Sequence, residues 1–271
     1  MQKRGIGHIQ IQYLAIVTPL FSTLHVANSL MHYLLHTNKM KIMKKILVFF
    51  LTIIIIVFSL YTLRDIQKQR IGKIMKSDIF GENRSCAFPC WNQITPAETT
   101  IEETISIVQR LHYVKRNSIK SAGTEVWGGM SWDWKISGDK TPTGIAWENG
   151  IITEIDLGLP FQLTVNELIK NYGNPESIHI SDGGLPERWF CLIILFYASE
   201  GFQATVYTED FSTQFLPSDK VVAITLFPPT TNETRIMDFY SESDPEILSQ
   251  LNQPWNGFGD IKEIYDTTFF R

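Results

Sequence analysis

The sequence predicts an α+β protein: an N-terminal transmembrane helix followed by two helix-plus-antiparallel-sheet units. Three observations carry this. Residues 46–63 hold no charge. The charge is divided, with a basic, apolar head and an acidic remainder. After residue 86, capped helical patterns precede runs of alternating, strand-forming residues in two successive stretches.

The apolar run is "ILVFFLTIIIIVFSLYTL", 18 residues from Ile46 to Leu63. A hydrocarbon core of about 30 Å takes roughly 20 helical residues, and 17 is near the lower limit. Its β-branched residues disfavour a helix in water, but lipid forces the backbone to bond to itself. The run is longer than a signal-peptide core and no small-residue cleavage pattern follows it. Residues 43–63 are therefore expected to be a signal-anchor, with 46–63 contacting the bilayer.

Residues 1–63 contain no Asp or Glu and six basic residues, among them Lys44 and Lys45 directly before the run. Arg64, Lys68, Arg70, Lys73 and Lys76 follow it, suited to anionic headgroups. "MKKILVFF" has the form of a natural start, so translation is expected from Met43 or Met40. Residues 1–42 are then an N-terminal extension; the competing reading is a weak first membrane segment in Gln12–Leu35. With Met43 as start, Lys44 and Lys45 favour an inside N-terminus, which places the C-terminal body outside the cytoplasm.

From Ser77 onward the chain holds 13 basic and 27 acidic residues. That balance excludes nucleic-acid binding, which needs a positive footprint. Residues 64–85 are expected to be a polar stalk, with a helical stretch in "IQKQRIGKIMK". The first α+β unit is expected over 86–160 and the second over 161–229. A C-terminal tail, 230–271, carries a short helix in "SDPEILSQL".

In the first unit, Thr95 with Glu98 and Thr99 with Glu102 are helix-start signatures, followed by Ile101, Ile105 and Val108 at helical spacing. "MSWDWKIS" alternates, with Trp132 and Trp134 on one face. "TGIAWENG" and "IITEIDLGL" flank an Asn149-Gly150 hairpin signal. In the second unit, Thr164 caps a helix with Glu167 at the reciprocal position, and Gly173 and Pro175 end it. "RWFCLIILFYA" is apolar on both faces, as a central strand is; "GFQATVYTE" and "KVVAITLFPP" complete about three strands per unit.

"LTVNELIKNYGNPESI" resembles the helix-plus-Gly-x-Pro element of the BamE-like (SmpA/OmlA) envelope domains, and a tandem of such units resembles the β-lactamase-inhibitor-protein-like fold. The first unit has the capped helix in "TTIEETISIVQRL" without the Gly-x-Pro ending. The resemblance implies an extracytoplasmic, non-catalytic protein-binding module.

Few residues suggest chemistry. Cys86 and Cys90, separated by a Phe88-Pro89 turn, are a candidate disulfide; Cys191 is expected as a buried thiol on the central strand. Trp127, Trp132, Trp134 and Trp147 crowd the first unit, either as core or as an exposed aromatic platform. Trp127, Trp132 and Trp134, with Asp182 and Glu187 in a second loop, form the candidate binding surface. "WGGM" at Trp127 and "DGGLPE" at Asp182 read as turns. His112 is placed at a helix end and His179 on a strand edge. Glu154/Asp156 and Glu102/Glu103 read as solvated surface. No nucleophile-base motif, phosphate loop or metal-ligand cluster is found, so no catalytic residue, cofactor or metal is assigned. The expectation is a membrane-anchored extracytoplasmic binding or scaffolding protein of the cell envelope with a protein partner, and no enzyme. The alternative is an envelope hydrolase with an acidic site.

Overall fold

A computed structural model describes residues 41–80, 86–135, 143–182, 191–208, 214–232, 234–235 and 253–265. The first element is one unbroken helix, α1 (Lys41–Phe80), which contains the apolar run. Phe49, Phe50, Ile54, Val57, Phe58 and Leu60 are all more than half exposed. Such a surface is stable in lipid, where the helix satisfies its own backbone. Among the described residues this is the one helix long and apolar enough to span a membrane.

The expected polar stalk is corrected up to Phe80; residues 81–85 lie outside the described residues. The helix continues through it to Phe80, and its last turns belong to the folded core. Met75 and Ile79 are 1% and 2% exposed, and Ile71 packs beside them. These three recur at every fourth position, so they make one helical stripe within a segment whose lysines suggest solvent. Burying each such side chain stabilises the fold by about 1.5–3 kcal/mol. Phe80 then meets Phe88, Phe161 and Tyr172 edge-on, with centroids 5.7, 6.4 and 6.3 Å away.

Helix α2 (Ile101–Arg110) starts one residue later than the sequence signature suggests. Thr100 is the cap and Glu103 its reciprocal partner. Thr99 instead accepts a hydrogen bond from the Thr95 N–H at 2.8 Å, inside the preceding turn. After it come β1 (Lys120–Gly123), β2 (Trp127–Ser131), β3 (Gly144–Glu148) and β4 (Ile151–Gly158). Asn149 and Gly150 both have positive φ, 52° and 76°, as the two-residue β3–β4 hairpin requires.

Helix α3 (Val165–Tyr172) is capped by the Thr164–Glu167 box and ends at Gly173, whose φ is 80°. It leads into β5 (Ser177–Asp182), β6 (Cys191–Tyr197), β7 (Phe202–Thr208), β8 (Gln214–Phe215) and β9 (Val221–Leu226). The short pieces β10 (Gln253–Pro254), β11 (Gly259–Asp260) and α4 (Ile261–Ile264) close the described chain. The tail helix expected in "SDPEILSQL" lies outside the described residues.

Nine strands form one antiparallel sheet in the order β1-β2-β3-β4-β9-β7-β6-β5-β10, and β8 pairs separately with β11. The pairing of β4 with β9 joins the strands of 120–158 to those of 177–226. No break in the sheet marks a boundary near residue 160. One core covers one face of the sheet: Ile145, Ile155, Leu157, Ile224 and Leu195 meet Val108 of α2, Leu168 of α3 and Met75 of α1 in a single cluster.

Two further expectations change. "WGGM" is not a turn but most of β2, because its glycines make room for a neighbour. A Cβ on Gly128 would lie 2.2 Å from Cζ2 of Trp147, whose indole crosses that position. The β2 strand ends at Ser131, so Trp132 and Trp134 follow it and turn into the core, 4% exposed each.

Candidate functional site

Alternation along the strands leaves a second sheet face opposite the helices. Register assigns it. Trp127 stands opposite Glu148, and Glu148 opposite Ile151. The next row is Ala122, Gly129, Ala146 and Glu154. The row after that is Lys120, Ser131, Gly144, Asp156, Thr225, Gln203 and Phe196. Over β1–β3 this face is a floor of small residues, and Ala122, Ser131 and Ala146 are exposed.

At one end of the floor stands Trp127, 69% exposed, next to Val126 at 59%. Their backbone is held firmly. The Thr124 N–H donates to the Trp127 carbonyl at 2.8 Å, and the Asn149 N–H to the Val126 carbonyl at 2.6 Å. The Gly150 N–H reaches the Glu125 carbonyl at 2.8 Å, and the buried Trp147 Nε1–H reaches the Thr124 carbonyl at 2.8 Å. The β1–β2 turn is thus tied to the β3–β4 turn.

At the other end lies a polar cluster. Arg235, after β9, donates from Nε to Gln203 Oε1 at 3.1 Å and from one terminal nitrogen to Glu154 Oε2 at 3.4 Å. Its guanidinium carbon lies 4.0 Å from the centre of the Phe227 ring, a cation–π contact. The other terminal nitrogen is buried without a hydrogen-bond partner among the described residues. Thr225 donates to Asp156 Oδ1 at 2.7 Å. Burial pushes the Glu154 carboxyl above its ordinary range, with the Arg235 charge opposing and Asp156 reinforcing. Burial likewise pushes Asp156 up, against the Thr225 hydrogen bond and the Arg235 charge. Glu154/Asp156 as solvated surface is therefore corrected. The two lie toward the middle of the nine-stranded sheet, where neighbouring strands and Arg235 partly cover them.

The predicted binding residues separate. Trp127 is on the exposed hairpin. Trp132 and Trp134 are removed from the binding surface: they pack with Trp91, at centroid distances of 5.9 and 6.1 Å, and the Trp134 indole N–H donates to the Gly158 carbonyl at 2.6 Å. Trp147 is buried over Gly128. Asp182 ends β5, and Glu187 lies outside the described residues. Sulfurs of Cys86 and Cys90 are bonded, across Cα atoms 5.6 Å apart. His179 is 2% exposed on β5 and not at a solvent edge; His112 is exposed, beyond the end of α2. Of the other acidic pair, Glu102 and Glu103 are exposed on α2, and Glu103 belongs to the capping box.

Arg235 has no counterpart in the sequence reading. The only signal was indirect: two acids alternating along β4 share one sheet face, and a buried pair of that kind calls for a cation. Among the described residues, no three His, Cys, Asp or Glu side chains converge as metal ligands. An open groove beside α2 is lined by Thr95, Glu98, Glu102, Ser106 and Arg110. No protein-family model, curated protein or solved structure matches this chain.

Proposed function

We propose that the chain is a membrane-anchored binding or scaffolding protein of the cell envelope, with its body outside the cytoplasm, and that it engages a protein partner through the sheet face over β1–β3. One observation carries this reading: Trp127 and Val126 are exposed on a hairpin that four hydrogen bonds hold rigid, beside a flat floor of small residues. A large aromatic on a rigid backbone offers contact area at little entropic cost, as interface anchors do. The candidate span in α1 supports the anchor, since a tether raises the effective concentration of a weak contact. The strand order supports a tandem reading related to the BamE-like and β-lactamase-inhibitor-protein-like units: β1 to β4 and β5, β6, β7, β9 each follow a capped helix, and their last strands pair.

The test is photocrosslinking in intact cells. A benzophenone side chain at Val126 or Ser131 is expected to trap a discrete adduct, and one at Glu102 is not. Adducts at none of these positions would remove the reading. Membrane attachment is checked by carbonate extraction, which should leave the full-length chain in the pellet, and orientation by protease added to intact cells, which should degrade the body.

A second reading, a hydrolase, is favoured by one observation, the partly buried Glu154 and Asp156 with raised carboxyls. It requires a hydrolytic activity that Glu154→Gln or Asp156→Asn abolishes without unfolding the chain.

A further inference from the structure

Tryptophan is among the most buried residues on average, and Trp91, Trp132, Trp134 and Trp147 of this chain follow that rule. Trp127 breaks it. Its surroundings say what it is for. On β3 the residue directly opposite is Glu148, exposed and on the same face. Directly opposed side chains in an antiparallel pair have Cβ atoms about 4.5–5.5 Å apart. Glu125 is exposed two residues before Trp127, on the turn that its own carbonyl ties to Gly150. Neither carboxylate belongs to an ion pair among the described residues. The interior acid Glu154, by contrast, is already neutralised by Arg235. An exposed indole with one uncompensated carboxylate directly opposite it, and a second exposed acid on the same turn, is complementary to a cation with a flat or apolar body. The indole face attracts the charge through its quadrupole, and the carboxylates add ion pairing. The same two carboxylates disfavour an anionic lipid surface at this spot.

We infer that Trp127, Glu148 and Glu125 form the receptor for an arginine or lysine side chain of the protein partner, arginine being the better fit because its planar guanidinium stacks and forks at once. This rests on the binding reading above and specifies the partner: a basic side chain presented by a segment that lies across the Ala122–Gly129–Ala146 floor. That floor lacks side chains that would hold a partner's backbone away.

The test uses the full chain in lipid nanodiscs, labelled with 5-fluorotryptophan, with Trp127→Phe assigning the Trp127 fluorine signal. A short arginine-containing peptide is expected to move that signal saturably. The same peptide with citrulline, which keeps the shape without the charge, is expected to leave it in place. Glu148→Gln should weaken the arginine peptide about two- to fivefold. An equal response to citrulline, no saturable response to arginine or lysine peptides, or a Trp127 signal that responds to lipid composition instead would overturn the inference. Crosslinks at Ser131 in cells without a peptide response would leave the binding role standing and remove only this receptor. A peptide response without crosslinks would leave a cation-binding surface at Trp127 but remove the binding role, and with it the claim that the cation belongs to a protein partner.

Discussion

Lys76, on the last turns of α1, places its ammonium 2.9 Å from Oε1 of Glu167, the carboxylate that also closes the capping box of α3. The same ammonium donates to the Gln162 carbonyl at 3.0 Å. One acid thus serves two elements that are 91 residues apart in sequence. Slight burial pushes the Glu167 carboxyl up, but the hydrogen bonds from Lys76 and Thr164, with the Lys76 charge, outweigh this and hold it below its ordinary value of 4.5. A carboxyl lowered by folding stabilises the protein above that value, and the contribution is lost as pH falls through the lowered one. Both partners are partly exposed, so the ion pair contributes under about 1 kcal/mol and the cap about as much again. Glu167→Gln is expected to lower the thermal midpoint at pH 7, with the difference from the parent shrinking to nothing in acid. A difference that stays constant down to acid pH would show that the charge is not what matters.

Arg235→Ala tests the polar cluster, with the opposite sign. Glu154 and Asp156 titrate above their ordinary values in the fold, so their ionised forms cost stability as pH rises through the raised range. Without Arg235 their compensation is gone. The variant should lose about 3–5 kcal/mol near neutral pH and recover part of that at mildly acidic pH, where the carboxyls hold protons. Denaturant unfolding at two pH values measures this. A loss independent of pH would assign Arg235 a packing role over Phe227 instead.

Trp127→Ala and Trp134→Ala should behave oppositely. The exposed residue is expected to change stability by under about 0.5 kcal/mol while abolishing the Ser131 crosslink. The buried one should cost about 3–5 kcal/mol. Thermal unfolding and crosslinking yield on the same pair of variants decide it.

Gly128→Ala is a steric prediction. Its methyl group would enter the Trp147 indole and also approach the Ala122 carbonyl to 2.7 Å. A loss of about 1–3 kcal/mol is expected, with an altered near-ultraviolet signal from the displaced indole. An unchanged near-ultraviolet spectrum would mean that Trp147 does not pack there.

Alkylation of the denatured, unreduced protein should modify one cysteine, Cys191, since Cys86 and Cys90 are joined. Modification of all three in material from the native compartment would argue against an oxidising location for the body.

The elements with local signals were legible in the sequence. The apolar run, the Thr164–Glu167 cap, the Gly173 stop and the Asn149-Gly150 hairpin each rest on neighbouring residues and on one-dimensional spacing. What failed depends on partners distant in sequence. Ile71, Met75 and Ile79 read as part of a polar stalk because lysines separate them; only the body decides that their stripe is buried. "WGGM" read as a turn because glycine favours turns, yet Gly128 is there for Trp147. Trp132 and Trp134 were legible as core residues, and both are buried, but they lie past the strand end and drop out of the binding surface. Of the candidate site, Trp127 was legible as a residue to watch, while its pairing with Glu148 needed the β2–β3 register. Arg235 was invisible because the acid it pairs with, Glu154, lies 81 residues upstream.

The β4–β9 pairing has a consequence for synthesis. Until β9 emerges, β4 is an eight-residue strand with one side unpaired, carrying Ile151, Ile152, Ile155 and Leu157. Open strands of that kind template aggregation and exchange between chains. A nascent chain that has delivered only residues up to 160 therefore carries a hazard that the next seventy or so residues remove. Fragments ending there should be poorly soluble and quickly proteolysed, and a second copy of the C-terminal strands supplied in trans should rescue them by completing the seam.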